Sequence, residues 1–95
     1  MSKELRVLIV NRLGLHARAA ARLVNLANQF KSAITVTRTD TGNSADGKSI
    51  LSVIFLAAPM GTELSISASG EDEAAAVHAL AKLVWDKFGE ETDVY

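Results

Sequence analysis

Apolar residues recur along this chain with two different periods, and the switches between them mark out its elements. From Leu5 to Val10 they alternate, with Leu5, Val7 and Ile9 facing one way and Arg6 the other, which predicts a strand. Asn11-Arg12-Leu13-Gly14 breaks the run as a loop. From Ala17 the step lengthens to threes and fours through Ala20, Leu23, Leu26, Ala27 and Phe30, while Arg22, Asn25 and Gln29 fall on other faces. That spacing predicts a helix to about Phe30, favoured further by its alanines. Ala33 to Thr39 alternates again, with β-branched residues that suit a second strand. Asp40-Thr41-Gly42-Asn43 reads as a turn, and the residues up to about Asp46 have room to return as a short strand.

The stretch Ile50 to Leu56 is apolar almost throughout, and its period does not decide between a strand and a buried helix. Ser49, placed just ahead of it, is a good N-cap and favours a short helix. After a loop at Ala57 to Gly61, Thr62 to Ala68 alternates cleanly, with Leu64, Ile66 and Ala68 inward and Glu63, Ser65 and Ser67 outward. Ser69-Gly70-Glu71-Asp72 then opens a last helix with the acidic residues a helix start favours. Ala76, Leu80, Leu83 and Val84 mark its buried face as far as Phe88, with Trp85 at the edge. Gly89 is the expected stop, and Glu90 to Tyr95 reads as a frayed acidic tail. Four strands and three helices in this order predict an α+β fold, a mostly antiparallel sheet with its helices on one face.

Composition and charge narrow the picture further. With 95 residues, 48% of them hydrophobic, the chain suffices for a single domain over residues 1–95, near the lower limit for one unstapled core. No cysteine is present, so neither disulfides nor thiolate metal sites are expected, which suits a reducing cytoplasm. Ser2-Lys3-Glu4 leads into no long apolar segment, so neither a signal peptide nor membrane insertion is expected. A formal charge of −1 argues against nucleic acid as the partner.

The candidate chemistry lies in Gly14-Leu15-His16-Ala17-Arg18. A helix start carries unpaired N–H groups and the positive end of a macrodipole, which makes it a natural anion site. His16, whose side-chain type titrates near neutral pH, stands at that start. The backbone of Ala17 and Arg18 and the forked guanidinium of Arg18 are placed to hold phosphate oxygens. The residues thus suggest a histidine that carries a phosphoryl group. On spacing alone a surface or capping histidine and a solvated arginine are alternatives, although histidine is not a preferred N-cap. A metal site is not expected, since no second ligand lies at useful spacing and His78 falls in another helix. Acyl transfer would need a nucleophile, a base and an orienting group, which no local pattern proposes.

Two motifs carry a family resemblance: Asn11-x-x-Gly14-Leu15-His16-Ala17-Arg18, and Lys48-Ser49-Ile50-Leu51-Ser52-Val53 followed by Leu56-Ala57. In their order and setting, from about Leu5 to Phe88, the chain resembles the HPr family. These are the histidine-containing phosphocarriers of the bacterial phosphoenolpyruvate-dependent phosphotransferase system. The resemblance implies a four-stranded antiparallel sheet with three helices on one face, an open-faced sandwich. It implies that His16 accepts a phosphoryl group on Nδ1 from phosphorylated enzyme I and passes it to an EIIA domain, assisted by Arg18. Such a carrier is a covalent intermediate rather than an independent enzyme, works without a cofactor, and is expected to be monomeric.

Ser49 matches the serine that an HPr kinase/phosphorylase modifies in bacteria possessing that enzyme. Were it to lie near His16, its phosphate would repel an acidic partner and slow phosphorylation of the histidine. Ile50 and Leu51, with Ala20, form the expected docking patch, whereas Val53 is expected in the core. The chain departs from the family at Ala19, where proline usually follows the arginine. Asn25 and Asn28 also stand where some relatives have lysines, which leaves the docking face less basic. Two other functions use the same residues: a carrier in a nitrogen-related regulatory branch, and a binding module governed only through Ser49 with His16 idle.

Overall fold

The computed structural model describes residues 2–90. Four strands form one sheet: β1 (Ser2–Leu8), β2 (Ala33–Arg38), β3 (Ser44–Asp46) and β4 (Glu63–Ser69), in the spatial order β1-β4-β2-β3 with every pairing antiparallel. Three α-helices, α1 (Ala17–Ala27), α2 (Ile50–Phe55) and α3 (Glu73–Trp85), cover one face, and a 3₁₀ turn follows at Lys87–Gly89. Among the described residues, no helix is long and apolar enough to cross a membrane.

The strand register explains which face is covered. Leu5 and Val36 both pair with Ile66, Val7 pairs with Leu64, and Ile34 pairs with Ala68, so one side of the sheet is continuously apolar. Against it α1 buries Ala19, Ala20, Leu23, Val24 and Ala27, while α3 buries Ala76, Val77, Leu80 and Val84. Each fully buried leucine or valine contributes about 1.5–3 kcal/mol, and the alanines let α1 approach closely without adding volume.

The predicted ends shift where pairing overrides local pattern. β1 starts at Ser2 because its ladder with β4 reaches Ser69, and it stops at Leu8 rather than Val10. α1 ends at Ala27 rather than Phe30, where Lys48 Nζ and the side chain of Asn28 tie down the chain. Lys48 Nζ donates to Phe30 O at 2.7 Å, and Asn28 Nδ2 donates to Val24 O at 2.9 Å. Ser65, expected outward, is 7% exposed: β4 is a central strand, and the Ser65 hydroxyl donates to the Glu4 carboxylate on neighbouring β1. Phe88 lies in the core, but not on α3. The helix stops at Trp85, and Phe88 turns inward through left-handed backbone at Lys87 (φ 60), Phe88 (φ 56) and Gly89 (φ 78).

Two polar clamps hold the loops. Asp72 accepts from Lys31 N (2.8 Å), Ser32 N (3.0 Å) and the Ser32 hydroxyl (2.5 Å), joining the start of α3 to the entry of β2. The Ser32 hydroxyl first, and then the Lys31 amide, hold the Asp72 carboxyl below the usual carboxylate range. Arg38, gripped by Asp40, donates to Leu56 O at 3.0 Å and Ala57 O at 3.3 Å, which supplies donors to carbonyls at the end of α2.

Candidate functional site

The loop between β1 and α1 aims His16. Asn11 is fully buried and closes the loop on itself: its Nδ2 donates to Gly14 O at 2.9 Å, and Gly14 N donates to Asn11 O at 3.2 Å. Gly14 takes a left-handed backbone (φ 68), and Leu15 N then donates to Ala58 O at 2.8 Å, pinning the loop to the segment after α2. His16 is thereby delivered to the N-cap of α1 with extended backbone (φ −78, ψ 179), its carbonyl receiving Ala20 N at 2.8 Å.

At that position the ring makes no bond to the amides of its own helix. The N–H groups of Ala17, Arg18 and Ala19, in the first turn, have no carbonyl a turn earlier to accept them. The His16 side chain keeps 26% of its surface open, and Arg18 is exposed beside it. The helix start, with its positive end and first-turn amides, and the partly open imidazole thus lie together, and this is the chemistry that suits an anion. Ala19 is fully buried in the same turn.

A residue from the far end of the chain completes the cluster. His16 Nε2 is hydrogen-bonded to Glu90 Oε2, and Glu90 Oε1 accepts from Asn11 Nδ2 at 3.1 Å. The reading of Glu90 as part of a frayed tail is therefore corrected; residues 91–95 lie outside the described residues. Arg22 on α1 donates to Phe88 O at 2.5 Å, which ties the segment carrying Glu90 to the helix that carries His16. No local pattern signals a bond between positions 16 and 90, although an apolar residue placed after the helix, Phe88, marks an anchor.

Ser49 caps α2, its Oγ accepting from Ser52 N at 3.4 Å. It lies at the other end of α1, for Asn28, the C-cap of that helix, reaches Lys48 O at 3.4 Å. Twelve residues of helical rise separate His16 from Asn28, about 18 Å. The condition that Ser49 lie near His16 is not met, and at that range most direct charge repulsion is screened. On α2, Ile50 (41%) and Leu51 (63%) are exposed, Phe55 is more so (79%), and Val53 is buried as expected. Ala20 is fully buried, which corrects its place in the docking patch: its methyl packs into the core beneath α1. Leu13 and Met60 add exposed apolar surface that the sequence reading did not single out.

The chain matches the family described as PTS HPr component phosphorylation site over residues 3–86. It is 45% identical over 82 residues to the phosphocarrier protein HPr of Neisseria meningitidis, covering 86% of this chain and 90% of that protein. It is 38% identical over 91 residues to the phosphocarrier protein NPr of Proteus mirabilis, covering 96% of this chain and all of that protein. Its fold superposes on the crystal structure of HPr from Thermoanaerobacter tengcongensis with a TM-score of 0.87 at 40% identity, covering 95% of this chain and 99% of that one.

Proposed function

The chain belongs to the HPr family of phosphotransferase-system phosphocarriers, and from that premise we propose that His16 is its phosphoryl acceptor, through Nδ1. The supporting observation is the state of the ring. Nε2 is engaged by Glu90, the imidazole is partly open to solvent, and its side chain leaves the first amides of α1 uncapped. In the step we propose, the Nδ1 lone pair forms the N–P bond as the bond from phosphorus to phosphorylated enzyme I breaks, its electron pair leaving with the donor. Transfer to an EIIA domain reverses the roles. Phosphoryl transfer asks mainly for positioning and charge stabilisation, which the α1 amides and Arg18 supply.

The docking surface we assign to Ile50 and Leu51 extends to Phe55. Ser49, partly exposed at the start of α2, is the regulatory site on this reading, and its phosphate acts on docking rather than directly on the distant imidazole. The match to an NPr over its full length favours a second reading of the same chemistry, in which the acceptor belongs to a nitrogen-related branch.

Incubation with phosphoenolpyruvate and enzyme I tests the core claim. Label should be acid-labile, stable in base, and absent from His16→Ala. Acid-stable label that survives this substitution would overturn the assignment. Chasing the labelled protein with sugar-branch and nitrogen-branch EIIA domains then separates the two readings by which one takes the label.

A further inference from the structure

We infer that Glu90, oriented by Asn11, is a positioning residue that keeps the proton of His16 on Nε2 and so leaves Nδ1 free to react. This inference rests on the carrier reading and deepens it. An ionised carboxylate only accepts hydrogen bonds, so Nε2, bonded to Glu90 Oε2, must be the donating nitrogen of the ring. In a neutral imidazole the other nitrogen, Nδ1, then holds the lone pair.

Asn11 determines which way the carboxylate faces. Its amide is fully buried, and both of its partners, Gly14 O and Glu90 Oε1, are acceptors at 2.9 and 3.1 Å. The nitrogen must therefore face them, even though the buried Asn11 Oδ1 is left without a partner among the described residues. A relay results, running from Gly14 O through Asn11 Nδ2 and the two oxygens of Glu90 to the ring. Its far end is built on the segment that follows α3 and is anchored by buried Phe88 and by Arg22.

Glu90 also balances charge. When Nδ1 bonds to phosphorus the proton on Nε2 stays, so the ring becomes positive, and the carboxylate lies against that charge. The interaction is stronger after transfer than before it, the condition for an effect on rate rather than on binding alone.

The test exploits the difference between a carboxylate and an amide. In Glu90→Gln, Asn11 Nδ2 keeps its bond to the oxygen of the side chain at position 90, so the NH₂ of that amide faces His16 Nε2, which must then accept. The proton moves to Nδ1 and the reactive lone pair is lost. Nitrogen-15 spectra of the full chain should show a protonated Nε2 in the parent and a protonated Nδ1 in Glu90→Gln, with His78, on the outer face of α3, unchanged as an internal control. Phosphoryl acceptance should slow by about tenfold or more, because the competent tautomer has become the minor one. Glu90→Ala, which frees the ring without inverting it, should fall between the two. Equal tautomers in parent and Glu90→Gln, or an acceptance rate in Glu90→Gln at or above that of the parent, would overturn the inference. Failure of the parent to take label at His16 would instead sink the carrier reading, while the tautomer comparison would still decide the role of Glu90.

Discussion

Gly14→Ala is the sharpest stability test of the loop that presents His16, because a second glycine in this protein serves as its control. Gly14 has φ +68, and a Cβ there would meet Ala58 O at 2.6 Å and Pro59 Cα at 2.8 Å, both backbone atoms. Gly42 has a similar φ of +80, yet a Cβ there would meet nothing within 4 Å. Both variants incur the left-handed cost of an L-residue, about 1 kcal/mol. Only Gly14→Ala must also displace main chain, the same carbonyl that receives Leu15 N at 2.8 Å. Overpacking costs about 1–3 kcal/mol, which brings Gly14→Ala to roughly 2–4 kcal/mol in all.

Urea titration of the two variants should therefore show unequal losses of stability with unchanged m-values. At about 4–8 °C per kcal/mol for a domain of this size, Tm should fall on the order of 10–30 °C for Gly14→Ala and about 4–8 °C for Gly42→Ala. The shifted carbonyl lies against the residue before His16, so Gly14→Ala should also slow labelling at temperatures where it is fully folded. Gly42→Ala, in the turn between β2 and β3, should not. Equal losses in the two variants would refute the close approach and with it this account of how the loop is held.

Three further outcomes follow from other contacts. Asp72, with its carboxyl held below the ordinary value of 3.8, contributes stability that is complete above that value and lost as pH falls through its lowered folded pKa. Asp72→Asn should therefore show a shallower decline of Tm below about pH 4, with the residual slope coming in part from Asp40, which Arg38 lowers in the same direction; superimposable pH profiles would remove Asp72 from that role. Ser49→Ala should cost no more than about 1 kcal/mol, since its capping bond to Ser52 N is long at 3.4 Å, and urea unfolding measures it. Leu51→Ala with Phe55→Ala should leave stability within about 0.5 kcal/mol, while weakening binding to enzyme I by about tenfold or more in calorimetry. Unchanged affinity would move the docking surface away from α2.

The architecture was legible wherever one period dominated. The alternation of Leu64, Ile66 and Ala68 needed only one covered sheet face, and the α1 stripe needed only a helix lying on it. Local pattern failed where a neighbour from elsewhere decided the outcome. Ser65 sits on the polar side of its strand, yet it is buried because strands flank it on both sides. Phe88 continued the spacing of α3 on paper, but α3 ends at Trp85 and the ring enters the core from a different backbone. The candidate site divides in the same way. His16 and Arg18 announce themselves through residue type at a helix start, whereas the partner of the imidazole lies 74 positions away, beyond any local window.

Energetics explain why that partner is hard to foresee. Two non-glycine residues in left-handed backbone, Lys87 and Phe88, cost about 1–2 kcal/mol each. Burial of the Phe88 ring returns about 1.5–3 kcal/mol, and the bond from Arg22 to Phe88 O about 1.5–3 more. The midpoints of these ranges favour the turn by only about 1.5 kcal/mol, and neither side of it is a propensity that a sequence window registers. Gly89 and Glu90 follow from that turn: once Phe88 is anchored, the next two residues are carried to the N-terminus of α1 whether or not their own character favours it. An acidic residue there would read as solvent-facing on composition alone. It becomes part of the site because the aromatic residue two positions earlier is anchored in the core.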